Sequence, residues 1–508
     1  MTAHALVLPV LLPAVAAVLM LLAGERRRAV QRALGFVSCF ALAALATAFL
    51  AQSASGEVLA YFLGGWAAPF GIALVLDRLA ALMLALTAVV GTAALVAAAS
   101  GAEPVDVRGR WFHPLFQFQL MGLNGAFLTG DLFNLFVCFE ILLIASYCLL
   151  AHGQGVARLR SAVHFVVINL AASALFLLGI ATLYAVTGTL NMADLALRVP
   201  AVAPHDAGLV RAGALLLLVV FAVKAAAFPL YLWLPAAYTA AAAPVAALFA
   251  IMTKVGVYAI VRVHGVIFGP GAGDAALVAA PWLFAAALAT AVLGAAGALG
   301  ASSLTRMTAY LTIASVGTLL IAVSLFSPAG LGAALYYLLH STLVVAALFL
   351  LAAEIGARRG AAGDRLQRGA AIARPAALGL ALLVAAASIV GLPPLSGFVG
   401  KLMILGATGA LPATPLVWTV ILGTGFATLL ALTRAGSVLL WQPGDAGAAP
   451  GTTTPRALVV PAALLACGVA LALFAAPVKR FADAAAQQLA DTPGYAARIL
   501  GDRTRRPR

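Results

Sequence analysis

Apolar residues along this chain run in long unbroken stretches. They neither alternate, as on a half-buried strand, nor recur every three to four positions, as on a surface helix. Runs of about 20 residues predict membrane-spanning helices. They fall at 5–23, 29–51, 71–100, 113–129, 131–151, 161–187, 208–238, 243–268, 276–298, 302–326, 330–356, 372–408, 414–441 and 456–476. The pattern therefore predicts an all-α polytopic membrane protein with about 14 transmembrane helices. The seventh run contains Pro229 and Pro235, and the twelfth contains Pro393 and Pro394, so helices 7 and 12 are expected to be broken. Paired interrupted helices five spans apart suggest two inverted five-helix repeats, helices 4–8 and 9–13. On this reading residues 1–112 form an N-terminal three-helix segment. Residues 113–268 and 276–441 are the two repeats, and 442–508 hold the last helix and a basic C-terminal tail.

Composition excludes other classes. Of 508 residues, 64% are hydrophobic and 9% charged, against roughly 25% charged in a soluble domain. Too few charges are available for an ordinary water-facing surface. Cys39, Cys138, Cys148 and Cys467 lie in apolar runs with no Cys-x-x-Cys pair and no Cys/His cluster. Iron–sulfur and structural zinc sites are unsupported, and neither a cofactor nor a metal is expected. A net charge of +14 reads as loop orientation in a membrane protein, not as nucleic-acid binding. Met1–Ala23 lacks a basic leader and is followed by Arg26, Arg27 and Arg28, which predicts a first transmembrane helix rather than a cleaved signal.

Loops after odd-numbered helices carry fifteen arginines, Arg374 and Arg456 among them. Even-numbered loops before the tail carry three, Arg198, Arg211 and Arg262. This asymmetry places the odd loops in the cytoplasm. Fourteen spans would put the tail, with Lys479, Arg480, Arg498, Arg503, Arg505, Arg506 and Arg508, outside against this rule, unless one span is miscounted. It is expected to be a late amphipathic segment following a topology set by the first loops.

Charge within the spans costs about 3 kcal/mol or more at the bilayer centre, so it marks a pathway. Glu140 lies nine residues beyond Asp131, roughly 14 Å into its helix and near the middle of a ~30 Å core. Lys254 and His340 fall at similar depth, Lys224 precedes the break at Pro229, and Lys401 follows the one at Pro393-Pro394. These five residues predict an ionisable row across the mid-membrane. Three lysines face one glutamate, so some lack an acidic partner. A lysine that can be either charged or neutral is a proton carrier, and His340 would relay through its imidazole. Backbone groups freed at the breaks can hold water beside Lys224 and Lys401. The competing reading is a Glu140–Lys224 pair that merely holds helices together. Asp77 and Arg78, adjacent and opposite in charge, suggest local neutralisation.

The segment Gly130-Asp131-Leu-Phe-Asn134-Leu-Phe-Val-Cys-Phe-Glu140-Ile-Leu-Leu-Ile-Ala-Ser146-Tyr147 resembles the fifth-helix signature of proton-channel subunits shared by respiratory complex I and Mrp-type cation/proton antiporters. Lys224–Pro235, Thr253-Lys254-Val-Gly-Val-Tyr258 and Gly391–Lys401 resemble the same superfamily. With Tyr336-Tyr337-Leu-Leu-His340-Ser-Thr, they look most like the D subunit of the multisubunit Mrp (Pha, Mnh) antiporters. The resemblance covers roughly residues 70–440. It implies a proton-translocating subunit of a Na⁺(K⁺)/H⁺ antiporter, working with the other subunits of its complex in the bilayer. Glu140 and Lys224 match the family's glutamate–lysine pair, Lys254 its bridging lysine, His340 its helix-eleven histidine and Lys401 its terminal lysine. Two positions depart. Complex I relatives usually carry histidine where this chain has Tyr238, and some relatives place a lysine where this chain has Val344 and Val345.

Rivals from other classes fare worse. Gly400-Lys401 lacks the preceding glycine and following Ser/Thr of a phosphate-binding loop, with Leu395 and Leu402 in those places. An electron-carrying subunit has no haem or cluster ligands to use. A proton-pumping membrane-arm subunit of a complex I-like NADH–quinone oxidoreductase or a membrane-bound hydrogenase is the alternative with the same physics. A passive scaffold is disfavoured by mid-membrane lysines without acids.

Overall fold

The computed structural model describes residues 3–100, 104–153, 155–372, 375–442 and 455–501. Arg374, Arg503, Arg505, Arg506 and Arg508 lie outside the described residues. The chain is a helical bundle. Its helices in order are α1 (Leu8–Ala23), α2 (Arg28–Ala54), α3 (Arg78–Ser100), α4 (Phe112–Leu128), α5 (Leu132–Ala151), α6 (Val156–Thr187) and α7 (Met192–Arg198). Then follow α8 (Ala207–Ala225), α9 (Trp233–Ala240), α10 (Ala243–Ala259), α11 (Ala280–Leu299), α12 (Leu304–Val323) and α13 (Pro328–Arg358). The series closes with α14 (Ala376–Val390), α15 (Ser396–Thr408), α16 (Thr414–Gly436), α17 (Val459–Leu473), α18 (Ala475–Ala490) and α19 (Thr492–Leu500). Two short antiparallel strands, β1 (Leu59–Phe62) and β2 (Ala73–Leu76), lie between α2 and α3. The third span therefore starts at Arg78 and not at residue 71 as expected: Ala73–Leu76 is apolar because it is a buried strand, not the first turns of a helix.

Among the described residues, eleven helices are long and apolar enough to cross a membrane, and the bent pair α17–α18 would make twelve. The other expected spans fall on α4, on α14 with α15, and on α17, each built of helices shorter than eighteen residues. Burial sorts centre from rim. The apolar stretch of α10 is wholly buried and those of α12 and α13 are 89% buried, whereas those of α1, α2 and α16 are 33% buried. A helix that is apolar all round and covered on every side forms the core, and half-covered ones face lipid or partner chains. Lys254 and His340 sit on two of the core helices.

Both expected breaks are present, and both are closed the same way. At the end of α8, Ala226 takes a left-handed conformation (φ 56°). The Ala227 amide then bonds back to the Ala222 carbonyl at 2.9 Å and Ala226 to Val223 at 3.1 Å. At the end of α14, Gly391 (φ 88°) does the same, with Leu392 bonding to Ala387 at 2.9 Å and Gly391 to Ser388 at 3.2 Å. This pattern stops a helix by satisfying its last carbonyls internally. Gly256 lets α10 press on the first break, since a Cβ there would stand 2.4 Å from the Ala225 nitrogen.

The tail turns by 82° after α17. Its helix α18 packs on α3 and α13, and α19 packs on α7 and β1. Those last two elements lie between spans six and seven and between spans two and three. The tail thus sits at the same end of the bundle as these two connections.

Candidate functional site

Each of the five expected residues is held by a different element or by one side of a break. Lys254 on α10 and His340 on α13 are fully buried, and Lys224, at the end of α8, is 7% exposed. Glu140 on α5 and Lys401 on α15 are half-buried. Of the five, the two at the ends of the expected row are thus less covered than the three between them.

Glu140 and Lys224 do not touch. The Lys224 ammonium donates to Asn169 Oδ1 at 3.0 Å, and Glu140 accepts a short hydrogen bond from the Ser173 hydroxyl. Both partners lie on α6, a helix from which sequence reading selected nothing. The detectable signal was two polar residues four apart in an apolar helix, hence on one face. A small cavity lined by Phe139, Asn169, Lys224, Trp233 and Met252 offers about 10 Å³ for the centre of a water molecule, close to one water.

Among the described residues, Lys254 Nζ has no hydrogen-bond partner. Further along, His340 Nδ1 pairs with Ser396 Oγ at 2.9 Å, while its Nε2 has no partner among the described residues. Ser396 is the first residue of α15, just past the second break. Gly397 follows because a Cβ there would lie 2.8 Å from His340 Nε2 and closer still to the Ser388 carbonyl. Lys401 reaches back to the break, where Nζ donates to the Val390 carbonyl at 2.7 Å. That carbonyl ends α14 and has lost its helical partner, so the interrupted backbone supplies the acceptor.

Two expectations about other charges are corrected. Asp77 is not neutralised by Arg78. It pairs with Arg262, which gives it two hydrogen bonds, one of them at 2.9 Å and the other shorter. Arg78 instead caps the Ala54 and Ala484 carbonyls. Arg262 is no loop residue either: it lies in a π-helical turn, Ile260–His264, that ends α10, and it is 1% exposed. An apolar sequence around an arginine cannot reveal a partner 185 residues away. Arg434 donates to the Ala301 carbonyl at 3.1 Å, and Glu354 pairs with Arg358.

Outside the spans, Asp106 in the loop before α4 meets Arg32 and His113, with the nearest contacts at 2.6 and 3.0 Å. Burial disfavours its charge, but the hydrogen bonds from His113 and Arg32 outweigh that and hold the carboxyl well below the usual carboxylate range. A cleft of about 390 Å³ opens on the odd-loop side, lined in part by Arg158, Thr239, Thr305, Leu350 and Glu354.

A covered bundle with two interrupted helices and three lysines that form no ion pair with an acid among the described residues has the marks of an ion-translocating membrane protein. Residues 129–428 match the family of NADH:quinone oxidoreductase/Mrp antiporter transmembrane proteins, and the chain belongs to this family. It is 40% identical to the probable K⁺/H⁺ antiporter D subunit of Rhizobium meliloti (strain 1021), over 98% of this chain and 97% of that one. It is 36% identical to the Na⁺/H⁺ antiporter D subunit of Bacillus subtilis (strain 168), over 97% and 99%. Its structure is similar to a chain of the Mrp complex from Dietzia sp. DQ12-45-1b, with TM-score 0.86 and 28% identity, covering 99% of this chain and all of that one.

Proposed function

We propose that this chain is the proton-translocating D subunit of a multisubunit Na⁺(K⁺)/H⁺ antiporter in a bacterial inner membrane, moving protons along Glu140, Lys224, Lys254, His340 and Lys401. The full-length likeness to antiporter D subunits supports the complex and the transported ions. One observation carries the pathway: among the described residues, Lys224, Lys254 and Lys401 form no ion pair with an acid. A buried ammonium without a counter-charge pays its desolvation alone, which brings the neutral amine within reach. The three amines are thus groups that can load and unload a proton. The partners they do have are an amide, a backbone carbonyl and none, all compatible with release. His340, with one nitrogen free, lies in the electrostatic field of both Lys254 and Lys401 and can pass a proton through its two ring nitrogens. The test replaces Lys254 by Ala in the whole complex and follows exchange in everted vesicles at matched abundance. Loss of exchange supports the pathway, and an undiminished rate removes it.

A further inference from the structure

Glu140 and Lys224 each bond to α6 and not to each other. Asn169 and Ser173 are 1% and 5% exposed and stand four residues apart on one face. Asn169 is oriented from both sides of its amide. Its Nδ2 donates to the Phe165 carbonyl one turn back at 2.9 Å, which turns Oδ1 toward the ammonium of Lys224. The reverse orientation would set a donor against a donor. Ser173 Oγ donates to Glu140 Oε1 and so occupies an acceptor that the ammonium would otherwise use.

We infer that Asn169 and Ser173 are positioning residues that hold Lys224 and Glu140 apart, keeping the amine on a neutral acceptor from which it can release its proton. This rests on the proton pathway proposed above. A neutral amide binds an ammonium less tightly than a carboxylate does, because hydrogen bonds between two charged partners are the stronger ones. Direct pairing with Glu140 would fix the proton on Lys224. The small cavity that Lys224 and Asn169 share with Phe139, Trp233 and Met252 leaves space beside the amine, so the amide contact is not enforced by close packing. Asn169 thus sets how much of the time the lysine is free of the acid, and Ser173 keeps the acid engaged meanwhile.

The test uses the complete complex in everted vesicles, with Asn169→Leu, Asn169→Asp, Ser173→Ala, Ser173→Thr and Lys224→Ala compared at matched abundance across pH. Asn169→Leu lets the amine fall onto Glu140, and Asn169→Asp gives it a second carboxylate. Both are expected to exchange about tenfold more slowly at neutral pH, with the activity profile about one unit higher, since a unit of pH is a tenfold change in proton occupancy. Ser173→Ala moves the profile the same way, and Ser173→Thr, which keeps the hydroxyl, restores it. A merely structural role would lower abundance and leave the profile in place. If Lys224→Ala is inactive while the Asn169 and Ser173 variants keep the normal rate and profile, the positioning inference is overturned and the pathway stands. If Lys224→Ala exchanges normally, the pathway itself fails.

Discussion

Arg262 and Tyr495, 233 positions apart, share a hydrogen bond of 2.7 Å in which the guanidinium donates to the phenol. The same arginine holds Asp77 and donates to the Tyr258 hydroxyl at 3.2 Å. Its guanidinium carbon lies 5.3 and 5.7 Å from the Tyr258 and Tyr495 ring centres. Tyr258 is one turn from Lys254 on α10, so the C-terminal tail is fastened to the end of the helix that carries the central lysine. Asp77→Ala should leave a buried arginine without its counter-charge, at a cost of about 3–5 kcal/mol. Asp77→Leu combined with Arg262→Met should recover most of that loss. Thermal unfolding of the detergent-solubilised complex checks both, and equal melting of the single and double variants would show that the pair carries little weight.

Glu140→Ala should abolish exchange while the complex still assembles, and Glu140→Asp should retain part of the activity. The carboxylate accepts from Ser173, and its charge acts on Lys224 without contact, so its removal leaves no direct ion pair broken. Exchange in everted vesicles, read beside the amount of complex in the membrane, separates the cases. A variant missing from the membrane would make Glu140 a helix-holding residue.

Lys401→Ala and Lys401→Arg should both be inactive or nearly so. Arginine keeps the charge and can still reach the Val390 carbonyl, yet it does not release its proton at any accessible pH. A fixed structural charge would tolerate this exchange. Proton flux at matched abundance decides, and a fully active arginine variant takes Lys401 out of the path.

The chain by itself should catalyse no cation/proton exchange. Among the described residues no group of three or more His, Cys, Asp or Glu side chains is placed to hold a metal ion, whereas a dehydrated Na⁺ needs several hard oxygen ligands. The expectation is that partner subunits supply the cation path. Exchange by the purified chain in proteoliposomes would contradict this.

Asp106→Asn should lower thermal stability at neutral pH by about 1–2 kcal/mol, because it removes the counter-charge of Arg32, itself about a third exposed, beside a buried His113. The sign with pH follows from the depressed carboxyl. Its contribution is fully present above the unfolded value near 4 and fades as pH falls further. Wild type and variant should therefore stay apart above about pH 7 and converge only below about pH 4. Melting curves at several pH values give the answer, and a gap that changes near neutrality would assign the titration to another group.

Much of the molecule was written in the sequence because a bilayer enforces local rules. Apolar run length, proline breaks and the rarity of buried charge gave the helical class, the breaks after Lys224 and before Lys401, and the five candidate residues, since each of these is a property of one segment against a uniform solvent. The pairing of side chains was not so written. Arg262 read as a loop base, and Asp77 as a partner of Arg78, because only tertiary packing joins α10 to the start of α3 and to Tyr495 on the tail. Asn169 and Ser173 looked like ordinary polar residues in an apolar helix until α5 and α8 were set on either side of them. Charge on a segment is fixed by the segment, whereas the partner that charge finds depends on which helices the fold brings within 3 Å.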